Sequence, residues 1–478
     1  MAFGRLGALG RGFGRLGAPG GGAAVPALLP AGSKVMALGH SFVSYYQSTS
    51  PARPGPLTNI SSKVTGVSAW LKGLDQRFNL DTWADVAAPF KTVISNNDVS
   101  GACNGFSGAT LFDLYNDPTI LDYYLARGPK VVFLQLGTND ITNAGITLAN
   151  MQTYFNYIYG RVYASGAWLI AETIYPRSAS GVAPIPDGDA RLDKLIAYNA
   201  WLRGLSLPKY RVSDIASVLG EPRPNQSYWL QADLLHPQDR AAYESAKLVL
   251  PILQSIVASG SYANISPDPT LNNIMPNAKM SGAGGSVLSG GGGPTPTGSV
   301  PTGYQVSNFT GGSSYACSKF STDVSGYEGV QVAISPNNDG TATHEVRLTQ
   351  TANVLLSALS LSVGDWLQWM QYVEFSAYDG WTARQATVAL GNSSSTLWTT
   401  VVDNPLNSGS YFQPADAQAR WMVSEPFQIT SGVDRLRFTS GPCLAVRFNS
   451  TVAGSSTFKV SKPILRKIVS PLTAWNLP

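Results

Sequence analysis

The run Lys130–Leu136 (KVVFLQL) is apolar along most of its length and stops at Gly137. Such a run has no polar face to give to water, so it reads as a strand buried on both sides. Lys34–Leu38, which ends at Gly39, and Ala167–Glu172 (AWLIAE) are of the same kind. Helical stretches lie around them at Leu111–Leu125, Leu148–Tyr163, Ala190–Gly204 and Gln238–Ser259. Strands alternating with helices predict an α/β domain over residues 31–262, a mostly parallel sheet with helices on both faces.

The pattern changes further on. Residues 263–303 are rich in Gly and Pro, with Gly282–Gly285, Gly290–Gly293 and a PTPT run, and no periodicity survives there; they read as a flexible joint. From 304 to 478 short alternating runs are separated by Gly, Asn, Asp and Ser clusters. These are Glu345–Leu348, Val354–Leu361, Gln371–Ala377, Ala386–Leu390, Arg435–Phe438, Cys443–Phe448 and Phe458–Leu465. That spacing predicts an all-β domain, a jelly-roll-like sandwich. Residues 1–30 form an arm in which Phe3–Ala8 (FGRLGA) returns as Phe13–Ala18. Glycine at this density resists helix and strand alike.

Composition narrows the function classes. Apolar residues make up 44% of the 478, as in a globular protein, while charged residues reach only 13%. The net charge of +4 is thin for this length and forms no Lys/Arg stripe, so no nucleic-acid partner is expected. No stretch approaches about 18 apolar residues, so no membrane insertion is expected. No secretory signal is read in the Gly- and Arg-interrupted start. Cys103, Cys317 and Cys443 are far apart with no CxxC pair, which excludes a zinc ribbon. A Cys317–Cys443 disulfide and three free buried thiols both stay open.

Four segments carry chemistry. Gly39-His40-Ser41 follows the first strand, where open α/β sheets place their ligands. Asp233-Leu-Leu-His236 precedes the last helix and supplies a base and an orienting carboxylate on one loop, which a serine nucleophile requires. Asn104–Thr110 (NGFSGAT) opens a helix, so its backbone N–H groups point outward, and Gly137-Thr-Asn139-Asp ends the strongest strand with a side-chain amide. Donors of these kinds stabilise an oxyanion.

In this order, GHS, NGFSGAT, GTND and DLLHP, the chain resembles the SGNH (GDSL-type) serine hydrolase family over about 230 residues. The resemblance implies a flavodoxin-like α/β/α domain and an esterase that needs no cofactor and no metal. It casts Ser41 as nucleophile, His236 as base and Asp233 as its partner. The oxyanion hole would be the N–H of Ser41, the N–H of Gly108 and the amide of Asn139. The family usually has Asp where this chain has His40, which reads either as a structural replacement or as a group that alters the pKa of the site. The FGRLGA repeat and the joint before the β domain resemble virion proteins of bacteriophages. They imply localisation in a virion (a phage tail or surface appendage) acting at the host surface, with an extracellular protein as the alternative.

The expected substrate is an acylated polysaccharide, O-acetylated above all. The arm would contact other virion subunits. A homo-oligomer is compatible with the chain, although no heptad seam demands one. The rival reading is a non-catalytic receptor-binding fibre whose β domain grips glycan. Its aromatic residues, Trp366, Trp369, Tyr372, Tyr378, Trp381, Trp398, Tyr411 and Trp421, read mostly as core. Trp381–Ala383 and Asn404–Phe412 are where exposed rings are expected. Asp140 is expected to cap the helix or loop after Asn139, Cys103 to be a buried thiol, and His344 to stand apart from catalysis.

Overall fold

The computed structural model of the protein describes residues 28–44, 47–48, 59–62, 66–75, 77–78, 80–83, 100–224, 226–260, 267–289, 293–339, 343–403, 413–439 and 443–470. Residues 1–27 of the arm and 404–412 lie outside them. Five parallel strands form the first sheet: β1 (Val35–Gly39), β2 (Cys103–Gly105), β3 (Val131–Gln135), β4 (Trp168–Glu172) and β5 (Tyr210–Ser213), in the order β2-β1-β3-β4-β5. This is the doubly wound order whose switch point lies beside β1, between strands that run off to opposite sides. Every residue of β1 and β3 is buried, as two-sided coverage demands. The register sets Gly39 beside both Gly105 and Gln135, so three strands end together.

Besides short helices at Ile215–Leu219 and Gln226–Trp229, the described helices are α1 (Ser41–Ser44), α2 (Val67–Leu74), α3 (Leu111–Asn116), α4 (Pro118–Leu125), α5 (Thr138–Thr142), α6 (Leu148–Ala164), α7 (Ala190–Gly204) and α8 (Asp239–Ile256). α2 packs on α8, and α6 packs between α3 and α7. The single helix expected over Leu111–Leu125 is two. Pro118 disfavours helical backbone in the residue before it, and Asp117 sits at φ −121°, ψ 91°, capping α4 instead. Beyond α8 the chain meets Leu29: Leu29 N–H donates to Ile256 O and Ala258 N–H to Leu29 O, both 2.8 Å. Among the described residues no helix is long and apolar enough to cross a membrane.

The C-terminal half is a sandwich of two sheets around one apolar core. One sheet contains β6 (Tyr304–Thr310), β9 (His344–Gln350), β14 (Leu444–Phe448), β11 (Trp381–Gly391) and β12 (Thr396–Asp403), paired in that order. The other contains β7 (Ser314–Ser321), β8 (Glu328–Ser335), β15 (Ser456–Ile468), β10 (Trp366–Phe375) and β13 (Gln418–Val423). Val354–Leu361, expected as a strand, is a two-residue strand followed by a 3-10 turn over Leu356–Leu359. Trp381, expected among the exposed rings, is fully buried, because its face of β11 points into the core against Phe375 and Phe448. The three thiols are free and buried. Burial pushes Cys317 up to about 11 and Cys443 to about 12.

Two boundaries differ from the sequence reading. The Gly/Pro-rich stretch expected as a joint is built into the sandwich over its described part. Met275, Met280 and Val300 are buried in the core, and Asn273 and Ile274 bond β15. Three apolar anchors suffice to seat a segment whose composition alone reads as loop. The halves also share a sheet, since Asn59–Ser62, from between β1 and β2, pairs in parallel with β12.

The two halves meet across buried charge. Lys72 of α2 donates to Asp81 (3.1 Å) and to Glu425 of the sandwich (2.6 Å). Burial works against its ammonium, but Glu425 and Asp81 overcome that and raise its pKa. Gln368 donates to Asp81 and to Ser424 O, and the Arg420 guanidinium lies 4.3 Å over the Trp70 ring. Gly73 permits the approach, for a Cβ there would stand 2.6 Å from Trp421 O. Removing one member of such a network strands the others in a low-dielectric setting. Lys72→Ala is therefore expected to cost about 3–5 kcal/mol of stability, read by urea denaturation of the full chain.

Candidate active site

The site begins where β1 stops. His40 N–H donates to Gln135 O of β3 (3.1 Å), and the chain turns at once into α1, with Val43 N–H on His40 O. Ser41 is the first residue of α1 and is 6% exposed. Far along the chain, the loop before α8 closes on itself. Gln231 N–H donates to His236 O (2.8 Å), Gln231 Nε2 to Pro237 O (2.7 Å), and Leu234 takes φ 58°. Val182 N–H also donates to Asp233 O, 2.9 Å. This loop brings His236 Nε2 to 3.0 Å from Ser41 Oγ.

Asp233 holds the other side of the ring. One of its carboxylate oxygens pairs with His236 Nδ1, and the other accepts from Leu235 N–H and His236 N–H, both 3.0 Å. Burial works against this carboxylate, yet the ring and the two N–H groups outweigh it and hold its pKa down at about 2. With Nδ1–H directed at Asp233, Nε2 is left as an acceptor facing the Ser41 hydroxyl. Phe42 packs edge-on against the His236 ring at 5.6 Å and against Tyr175 at 5.1 Å.

Gly108 and Asn139 lie at the ends of the two strands flanking β1. Phe106 N–H donates to Gly39 O (3.0 Å), which ties the NGFSGAT segment to the nucleophile strand. Gly108 is exposed with φ +85°, a backbone that side chains avoid. Asn139 Nδ2 donates to Ala109 O at 2.8 Å, so its amide abuts the Gly108 segment. The first N–H groups of α3 are not turned outward to a ligand. Asp113 N–H is taken by the Thr110 cap, and Leu111 N–H (2.9 Å) and Phe112 N–H (3.3 Å) by Asp140. Asp140 thus caps α3 from across the sheet edge and not the helix that contains it. Burial lifts its pKa to about 6, against the backbone N–H groups of Leu111, Phe112 and Asp140 itself.

His40 occupies the interior. Its Nδ1 accepts from Phe42 N–H (3.2 Å), so it braces the turn after the strand. Burial first, then the nearby His236 and Arg177, push its pKa down to about 3, which makes it a neutral acceptor across the working range of pH. Cys103 is buried, with its Sγ 3.5 Å from Ser68 Oγ.

A second Ser–His–Asp alignment exists in the sandwich. Ser313 Oγ lies 2.5 Å from His344 Nδ1, and His344 Nε2 lies 3.0 Å from Asp339. Ser313 and His344 are both 0% exposed, and Ser313 Oγ already accepts Asn337 N–H. That serine has no open face, so the set ties loops together. Among the described residues no three His, Cys, Asp or Glu side chains converge.

Two contributors have no sequence signal. Arg177 is a buried cation that donates to Thr138 Oγ1 (2.8 Å) and Ala183 O (2.6 Å); burial lowers its pKa to about 10. Glu172, at the end of β4, accepts from Gln135 Nε2 of β3 and Ser245 Oγ of α8. Nothing in a lone Arg or Glu outside a motif marks it as buried here.

Residues 37–242 match the GDSL-like Lipase/Acylhydrolase family. Among solved structures, a carbohydrate esterase family 3 protein from Talaromyces cellulolyticus is 17% identical, with 46% of this chain and 96% of that one covered at a TM-score of 0.31. Axe2, an acetylxylan esterase from Geobacillus stearothermophilus, is 15% identical over 49% of this chain and 100% of that one, at a TM-score of 0.32. No curated protein matches the chain.

Burial pushes Glu172 up to about 8 from an ordinary 4.5, so the folded chain keeps a proton that the unfolded chain releases. Its contribution to stability is full below about 4.5 and falls away as pH rises to about 8. Glu172→Gln is expected to flatten that decline, as measured by thermal unfolding between these two pH values.

Proposed function

We propose, for a chain whose residues 37–242 match the GDSL-like lipase/acylhydrolase family, that Ser41, His236 and Asp233 catalyse ester hydrolysis through an acyl-enzyme. The observation that carries this is the unbroken line from the Ser41 hydroxyl through the His236 ring to the Asp233 carboxylate. His236 Nε2 takes the hydroxyl proton as Ser41 Oγ attacks the ester carbonyl. Asp233 fixes the tautomer and balances the imidazolium. The N–H groups of Ser41 and Gly108 and the Asn139 amide receive the oxyanion. Collapse of the tetrahedral adduct expels the alcohol, which takes the proton from His236. Water, deprotonated in turn by His236, then releases the acid from Ser41.

The substrate we infer is an O-acetyl ester on a bacterial surface polysaccharide. The setting we infer is a phage tail or similar virion appendage, with the arm contacting other subunits. The repeated Phe3–Ala8 sequence supports that setting, and an esterase domain joined to a sandwich suits work on a polymer. The Ser313 arrangement, buried on all sides, supports Ser41 as the reactive serine among the described residues.

Acetate release from 4-nitrophenyl acetate and from O-acetylated polysaccharides tests both levels. Ser41→Ala is expected to lose activity by about 10⁴-fold or more, and to lose labelling by a fluorophosphonate. Asn139→Ala is expected to lower kcat by about 10²–10³-fold. Turnover that survives in Ser41→Ala would show that another group is the nucleophile. Turnover on the small ester with none on acetylated glycans would remove the substrate assignment and leave the esterase.

A further inference from the structure

We propose that the sandwich holds the catalytic base in place, with Gln413 as a positioning residue for His236; this rests on the esterase reading above. The loop that carries His236 runs straight into α8, and the first two residues of that helix, Asp239 and Arg240, are buried against the other half of the molecule. Gln413 Nε2 donates to the Asp239 carboxylate. The main-chain oxygen of the same Gln413 accepts from Arg240 Nε at 2.7 Å. Arg240 Nη2 reaches Asp379 as well, at its carbonyl (3.2 Å) and its carboxylate. One residue of the sandwich therefore grips two consecutive residues of the hydrolase helix, three and four positions beyond the base.

Gln413 is itself anchored. Its N–H donates to the carbonyl of Trp381 (3.1 Å), a fully buried residue of the sandwich core, and Tyr378 N–H donates to Ala415 O (2.8 Å). The path from Trp381 through Gln413 to Asp239 and on to His236 consists of hydrogen bonds and a few peptide units. Ser41 and His236 are 195 residues apart, and a 3.0 Å contact joins them. A loop shift of about 1 Å at such a contact costs up to about 100-fold in rate. On this account the sandwich positions the base through Gln413.

The test compares the full chain with Gln413→Glu, Asp239→Asn and the two combined, using steady-state 4-nitrophenyl acetate hydrolysis and amide hydrogen exchange across residues 230–240. Gln413→Glu sets two carboxylates face to face and is expected to lower kcat about 10–100-fold with KM changed by less than about 3-fold. The combined variant restores an amide–carboxylate bond with donor and acceptor exchanged, and is expected to return kcat to within about 5-fold of wild type. Exchange over 230–240 should quicken in Gln413→Glu and slow again in the combined variant. Val332→Ala hollows the sandwich core at β8, and is expected to lower Tm while leaving kcat unchanged.

Unchanged kcat and exchange in Gln413→Glu overturn the proposal, as does an equal fall of kcat in Val332→Ala. A wild-type chain with no turnover, whose 230–240 exchange still follows Gln413, overturns the esterase reading and upholds the clamp. If Gln413→Glu does not fold, Asp379→Ala, which removes one contact from Arg240, reads the same effect with an expected fall of about 3-fold in kcat.

Discussion

The structure depends on where β1 ends. A parallel strand paired on both sides and buried on both faces has no freedom of register. Its last residue, Gly39, is aligned with Gly105 and Gln135, so the three following segments leave the sheet at one level. Ser41, the Gly108 segment and Asn139 follow those three aligned strand ends. The fourth contributor, the Asp233–His236 loop, is delivered by α8. Hydrogen bonds within the loop then set its own shape.

What could be read from the sequence follows from how local each feature is. β1, β3 and β4 are apolar runs long enough to announce themselves. β2, three residues (Cys103–Gly105), and β5, with its exposed Arg211, are too short and too mixed to do so. Asp233 and His236 are legible as a pair because both stand on one loop, three residues apart. Arg177 and Glu172 are not, since their roles come from burial beside groups 39 and 37 residues away. The segment after residue 263 misleads for the opposite reason. Its glycines and prolines say loop, while Met275, Met280 and Val300 are spaced irregularly and find their partners only in three dimensions.

The junction between the halves is built from charge and hydrogen bonds. Lys72, Asp81 and Glu425 neutralise one another in the interior, and Arg420 is spread over Trp70. Buried pairs of this kind add little net stability compared with apolar packing, but they tolerate no sliding, because each displaced partner is left in a poor dielectric. An interface made this way fixes an angle between two bodies better than a greasy one would. That suits a molecule in which the helix following the Asp233–His236 loop starts at the junction.

The contact between Leu29 and the end of α8 has a mechanical reading. Two main-chain bonds join the strand-like residue Leu29 to Ile256 and Ala258 on either side of the helix terminus. Tension on the chain ahead of Leu29 is passed to the far end of α8 before it can reach β1. The helix then acts as a strut with its other end held by the sandwich at Asp239 and Arg240. A pull on Leu29 is in this way carried past β1 and into the sandwich.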